Sequence, residues 1–397
     1  MTIRQQFPFF TQTDTVYLDT AATSQKPQSV IDALSTFYSC QNSNVHRGSY
    51  QSANQTTSLY EQTREDVARF INADAPENII WTSGTTAAIN KVSRSLSHTF
   101  DKDDVIVVLG SEHHANFVPW QQLAATKQLR FEVVNVLANG DVDMTHFRQL
   151  MHLKPKLVCM QHCSNALGNI HPIERLVEEA KSSGAMTLID GAQAVAHLAV
   201  DVLDIGCDFY VFSGHKMYAP TGIGVMYVSP NAAPKLLPSE FGGEMISVVT
   251  KQNTNFRPFP HFMETGTPNI SGVIGLSAAL EFIQSDEFQR AQKSEAKLYQ
   301  YMLDKLSALP NVKLVGNRER NIGVASFYIN NESNADVGAL LDQQGIAVRV
   351  GHHCAMPLMT ALGLAGTIRA SLGVYNSEMD VDRFIDALSK TIELLDI

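Results

Sequence analysis

The chain runs to 397 residues, 44% hydrophobic and 18% charged, a length beyond which one core stops growing, so two domains are expected. Forty acidic against 30 basic residues leave a formal charge of −10, which repels a phosphate backbone and argues against a nucleic-acid partner. No apolar run approaches the roughly 20 residues of a membrane helix, and the start lacks the apolar stretch of a secretory signal. Five scattered cysteines (Cys40, Cys159, Cys163, Cys207, Cys354) do not make a disulfide scaffold, so a cytoplasmic protein with no membrane partner is expected.

In chain order, β-rich runs alternate with helical stretches: NIIWT (78–82), VIVVLG (105–110), FEVVNV (131–136), KLVCMQH (156–162), MTLIDG (186–191) and DFYVFSG (208–214). Runs without polar alternation, separated by helix-length connections, predict a mostly parallel sheet covered on both faces. GVMYVS (224–229) follows too closely for a crossover, so one antiparallel strand is expected. From about residue 283 the rhythm changes. A long amphipathic helix over 287–309 stops at Pro310, and VKLVG, ASFYIN, IAVRVG and IRASLG read as short strands before a last helix at 379–395. The expectation is an α/β unit over 13–282 and a smaller α+β unit over 283–397, with residues 1–12 packing on the smaller one.

Several segments could carry chemistry. SGTT (83–86) follows a strand and opens a helix, so it either cradles an anion at the positive helix end or simply caps it. Asp190 ends a buried strand, where open α/β sheets bind ligands, and Gln193 stands three residues on; helix capping is the alternative. Lys216, in SGHKMYAPTGIG, directly follows a buried strand beside Ser213 and His215. A lysine there suits either a Schiff base or a phosphate. Of His113 and His114, one ring could stack on a flat cofactor, or both could be loop residues. VRVGHHCAMP (348–357) puts Cys354 between a strand and a helix. Three contiguous His-His-Cys side chains rarely wrap one zinc ion and no CxxC or HxxxH completes a set, so no metal is expected. Arg349 and Arg369 carry planar forks suited to a carboxylate or to an ion pair.

The order SGTT, EHHANFVPW, SNALGNIHP, DGAQA, SGHKMYAPTGIG, ETGTPN, GHHCAMP and IRASLGVYN resembles the pyridoxal-phosphate-dependent cysteine desulfurases of the class V aminotransferase family. More narrowly it is similar to their SufS/CsdA group, from LDTAATSQKP (18–27) to the last helix. The resemblance implies fold type I of the pyridoxal-phosphate transferases, with a mostly parallel seven-stranded sheet. It implies a homodimer that turns L-cysteine into L-alanine and leaves the sulfur as an enzyme persulfide for iron–sulfur cluster assembly or other sulfur traffic.

By the same resemblance Lys216 holds the cofactor covalently, Asp190 its pyridine nitrogen and Gln193 its ring hydroxyl, while His113 stacks on the ring. Thr85, Ser213 and His215 hold the phosphate, and Thr267 reaches the phosphate of the neighbouring subunit. Asn165, Arg369, Arg349, Ala21 and His46 serve the substrate, and Cys354 takes its sulfur. Phe241 in EFGGEMI (240–246) replaces a glycine of the family's GGG run. The short cysteine segment implies a SufE- or SufU-like acceptor protein. Two other readings fit the same motifs: a selenocysteine lyase acting on L-selenocysteine, and, from a different class, a catalytically silent sulfur-carrier or scaffold protein.

Overall fold

Alternating side chains of seven short strands feed two separate apolar cores in the computed structural model, which describes residues 2–395. Residues 1, 396 and 397 of the expected units lie outside the described residues. After a two-residue strand β1 (Val16–Tyr17) come β2 (Ile79–Thr82), β3 (Val105–Leu109), β4 (Arg130–Val134) and β5 (Leu157–Gln161). They are followed by β6 (Met186–Asp190), β7 (Phe209–Ser213) and β8 (Gly224–Val228). The large sheet has the order β2-β8-β7-β6-β5-β3-β4. All of its strands run parallel except β8, which is antiparallel to both neighbours, as the short connection before it requires.

Side chains of a strand point alternately to opposite faces, and here both faces are apolar. Val105, Val107 and Leu109 enter one core, whereas Ile106 and Val108 enter the other. Tyr210 and Phe212 are likewise divided from Phe209 and Val211. That two-sided burial is why these runs lack polar alternation in the sequence. The predicted FEVVNV strand stops early, at Val134. It is the edge of the sheet, and Val136 pairs back on Val142 around Gly140, which has φ +77°.

The six parallel strands share one carboxyl edge, and the segments leaving five of them, all but the edge strand β4, are SGTT, EHHA, HCSNALGN, DGAQ and SGHK. In open α/β sheets this edge is where ligands sit. A small exposed hairpin, β9 (Ile246–Val249) with β10 (Thr254–Phe256), follows. On it the ring of Phe256 lies 5.8 Å from that of Phe241, which is 70% exposed.

A second, antiparallel sheet contains β11 (Val312–Val315), β12 (Val324–Ile329), β14 (Arg349–Gly351) and β15 (Thr367–Ser371), in the order β11-β12-β15-β14. Leu298, Met302 and Leu306 of the helix Asp286–Ala308 pack with Phe384 and Leu388 of the helix Glu378–Leu394 in its core. IAVRVG is not one strand. Its first half, β13 (Ile346–Ala347), leaves the antiparallel sheet and pairs in parallel with β1, and Val16 and Leu18 enter this second core. The amino-terminal segment reaches further: Phe7 packs edge-on against Phe282 and Tyr375, and Arg4 bonds Asp380 at 2.8 Å. No helix among the described residues is long and apolar enough to cross a membrane.

Candidate active site

A cavity of 190 Å³ opens between the carboxyl edge of the large sheet and the end of β14. It is lined by Lys216, Asp190, His113, Thr85, Ser213 and His215 from the large sheet, with Asn165 and Ala21. Arg349, Arg369 and Cys354 close it from the other side. Residues spread over more than 300 positions thus meet at one place.

The floor is the buried carboxyl of Asp190, whose Oδ1 accepts the N–H of Ala192 at 2.9 Å. Burial raises its pKa, and the nearby ammonium of Lys216 works against that rise. Lys216 sits on a single 3-10 turn just past β7; burial lowers its pKa, the two arginines add to the fall and Asp190 opposes it. A lysine so placed loses its proton more readily than one in water, which is what a nucleophilic amine needs.

His113 is held by its own backbone. Its Nδ1 accepts the N–H of Ala115 at 3.0 Å, so the ring proton is assigned to Nε2. Burial, aided by Lys216, takes its pKa down to about 3 and leaves a flat, neutral ring over the cavity. The surrounding motif has a structural logic of its own. Glu112 accepts the N–H of Gln161 at 2.6 Å and the side-chain amide of Asn116 at 2.8 Å. Asn116 in turn accepts the indole N–H of Trp120 at 3.0 Å. This buried ladder pins the histidine loop to β5.

At the SGTT end, neither Ser83 nor Thr85 caps the helix Thr85–Leu96 through its side chain. Instead the N–H of Thr85 donates to Ser213 Oγ at 2.8 Å, and the two hydroxyls meet at 2.8 Å. Gly84 has φ +150°, and a Cβ on the neighbouring Gly224 would come 2.5 Å from its Cα, so both must stay bare. The result is a cluster of hydroxyls and a helix end beside His215, a cradle for an anion.

On the opposite wall Arg369 is 2% exposed. It donates to the backbone oxygen of Asn165 at 2.7 Å and to Asp19 Oδ1 at 2.8 Å. Arg369 and Arg349 face each other across β15 and β14, a like-charge pair that would repel unaided. Asp19 relieves it, with Arg349 at 4.0 Å from its other oxygen. Arg369 Nε and Asn165 Oδ1 are both buried without a partner. A donor and an acceptor left free beside one cavity suit a substrate's carboxylate and amine.

Cys354 is exposed at the cavity mouth, and it and His353 occupy the left-handed region, with φ of 57° and 51°. Such conformations cost about 1–3 kcal/mol each and persist only where neighbours enforce them. Three expected site residues lie apart. Gln193 is buried beside the cavity and donates to Ala21 O at 2.8 Å. His46 bonds Glu61 at 2.8 Å and is not among the lining residues. Thr267 is exposed and also outside the lining. Sequence reasoning passed over Asp19, Glu112 and His353; only the position of Asp19 in LDTAAT offered a signal.

A profile described as Aminotransferase class-V matches residues 16–384. The chain belongs to the class-V aminotransferase family. Among class-V relatives, a cysteine desulfurase of Pectobacterium carotovorum is 42% identical over 381 residues, 96% of this chain and 93% of the relative. The apo structure of the cysteine desulfurase from Thermococcus onnurineus superposes with a TM-score of 0.94 at 37% identity, over 98% of this chain and 97% of its own. The Escherichia coli cysteine desulfurase CsdA, as its S-sulfonic acid, gives 0.92 at 36% identity, over 98% of each chain. Class-V enzymes of this branch depend on pyridoxal phosphate, and so does this chain. Its site fits that group, with a free lysine, a buried acid, a neutral flat ring and a hydroxyl cradle in one small cavity.

The class-V core also sets acid sensitivity. Burial holds His113 and His353 at about 3 and His162 and His171 at about 4, so all stay neutral in the folded chain. Below their ordinary 6.5 the unfolded chain binds protons that the folded chain does not, and stability falls as pH drops from about 6.5 towards 4. Melting temperatures are expected to fall steadily as pH drops below about 6.5; a level curve from about pH 6.5 down to about 4.5 contradicts this.

Proposed function

We propose that the chain converts L-cysteine to L-alanine and takes the released sulfur onto Cys354 as a persulfide. The observation that carries this reading is the sharing of one cavity by Lys216, Asp190 and Cys354, with Arg369 Nε and Asn165 Oδ1 unpartnered beside them. When bound, pyridoxal phosphate supplies an electron-withdrawing ring that accepts the pair left at the substrate's Cα. Asp190 holds a proton at the ring nitrogen, Gln193 meets the ring hydroxyl and His113 covers the ring face. Thr85, Ser213 and His215 hold the phosphate. Arg369, with Arg349, binds the substrate carboxylate, Asn165 faces the substrate with its free Oδ1, and Ala21 leaves room for it.

Lys216 removes the Cα proton as general base. Cys354 Sγ, as thiolate, then attacks the substrate sulfur: an S–S bond forms, the Cβ–S bond breaks, and its electron pair stays on the three-carbon fragment, which takes up one proton at Cβ, regains one at Cα from Lys216 and leaves as alanine. Thiol plus cysteine gives persulfide plus alanine, with no added oxidant.

The same reading takes the chain as two units, 13–282 and 283–397, working in the cytoplasm as a homodimer. Thr267, exposed away from its own cavity, meets the phosphate of the second copy. A SufE- or SufU-like protein collects the sulfur for iron–sulfur cluster assembly. The protein reconstituted with pyridoxal phosphate is expected to be yellow and to give alanine and, with a reductant, sulfide in equal amounts. Yellow protein that makes no alanine from L-cysteine would rule the reading out.

A further inference from the structure

We propose that His114 is a positioning residue that fixes the thiol of Cys354 by holding the backbone just after it at two points. The inference rests on the reading of Cys354 as sulfur acceptor. Its backbone N–H donates to the carbonyl of Cys354 at 2.7 Å. Its ring Nε2 accepts the N–H of Met356 at 3.1 Å. One side chain and its own backbone therefore hold the chain on the carboxyl side of the nucleophile, from the Cys354 carbonyl to the Met356 N–H.

Each bond answers a local need. Met356 begins the helix Met356–Ala361, so its N–H is one of the donors a helix cannot satisfy internally. Ala355 offers no side-chain cap, and Pro357 has no N–H to share. The imidazole takes the place of the missing cap. To accept at Nε2 the ring must be neutral with its proton on Nδ1, and burial, aided by His352, favours that neutral form. The other side of the loop is held separately. His353 bonds Thr367 Oγ1 at 2.9 Å, and its carbonyl accepts from Asn165 Nδ2 at 2.5 Å.

These bonds surround two successive residues in the left-handed region, a backbone that relaxes elsewhere unless it is held. The adjacent histidines divide the work: His113 turns its ring into the cavity, and His114 turns away to the cysteine loop. That division gives a physical reason for two consecutive histidines in EHHA.

The test compares His114→Leu, which removes the acceptor, with His114→Gln, whose Oε1 can take over from Nε2. Both are prepared as full-length protein with pyridoxal phosphate bound. His114→Leu is expected to keep the yellow colour and KM for L-cysteine while kcat for alanine falls about tenfold to a hundredfold, the effect of displacing a reacting atom by about 1 Å. Cys354 alkylation by iodoacetamide, read by peptide mass spectrometry apart from exposed Cys40, is expected to change at least about threefold. His114→Gln is expected to recover most of kcat and the normal alkylation rate.

If His114→Leu does not fold, His114→Asn, polar but too short to reach Met356, is expected to show the same losses. Normal kcat and alkylation in the variant lacking the acceptor would overturn the proposal, as would equal losses in the Gln variant. Alkylation reports the thiol's position without turnover. A fully active Cys354→Ala would therefore count against the sulfur-acceptor reading and leave the clasp to be judged by alkylation.

Discussion

Lys216→Ala is expected to yield colourless protein and to lower alanine formation from L-cysteine by at least about 10³-fold, within the range for removal of a positioned general base. On the proposed mechanism two losses combine in that substitution, the amine that tethers the cofactor and the base that moves the Cα proton. The effect is chemical more than structural. Lys216 is on a single turn after β7, and the burial that lowers its pKa also means its loss leaves no counter-charge stranded except Asp190, whose own burial favours protonation. The folded variant is therefore expected to melt close to the parent while lacking visible absorbance. Alanine formation within tenfold of the parent would show that another base serves the site.

Cys354→Ala is expected to separate the halves of the reaction. The cofactor stays bound and yellow, because Cys354 touches the cavity only at its mouth, but alanine output drops by about 10²-fold or more for want of the attacking thiol. Selenium leaves carbon more readily than sulfur, so the same variant supplied with L-selenocysteine discriminates between substrates. Retained selenide release with lost sulfide release indicates a lyase, whereas loss of both fits a desulfurase. Unchanged alanine output from L-cysteine would sink the persulfide assignment.

The sequence is most readable where burial is two-sided. VIVVL, FYVFS and GVMYV show strand and layer together because both faces are apolar, and Lys216 and Asp190 follow from their places at strand ends. What stayed hidden depends on long-range partners. IAVRVG looks like one strand, yet β13 is drawn off by β1, a pairing whose partners lie 330 residues apart (346 − 16). LDTAAT marks Asp19 by its place but not that it stands between two opposed arginines, 2.8 Å from one and 4.0 Å from the other. Nor can EHHA disclose that one histidine faces the cavity and the other a loop some 240 positions away. Composition and spacing report local geometry; closure of the site is a tertiary event.

The bond between Asp19 and Arg369 spans 350 residues. At translation speeds of 5–20 residues per second, roughly 20 to 70 s separate the emergence of its two ends from the ribosome. During that interval all seven strands of the large sheet, residues 79 to 228, leave the ribosome before the far wall of the cavity, Arg349, Cys354 and Arg369, exists. A chain stopped before residue 349 therefore has the lysine side of the cavity but none of Arg349, Cys354 and Arg369 to close it.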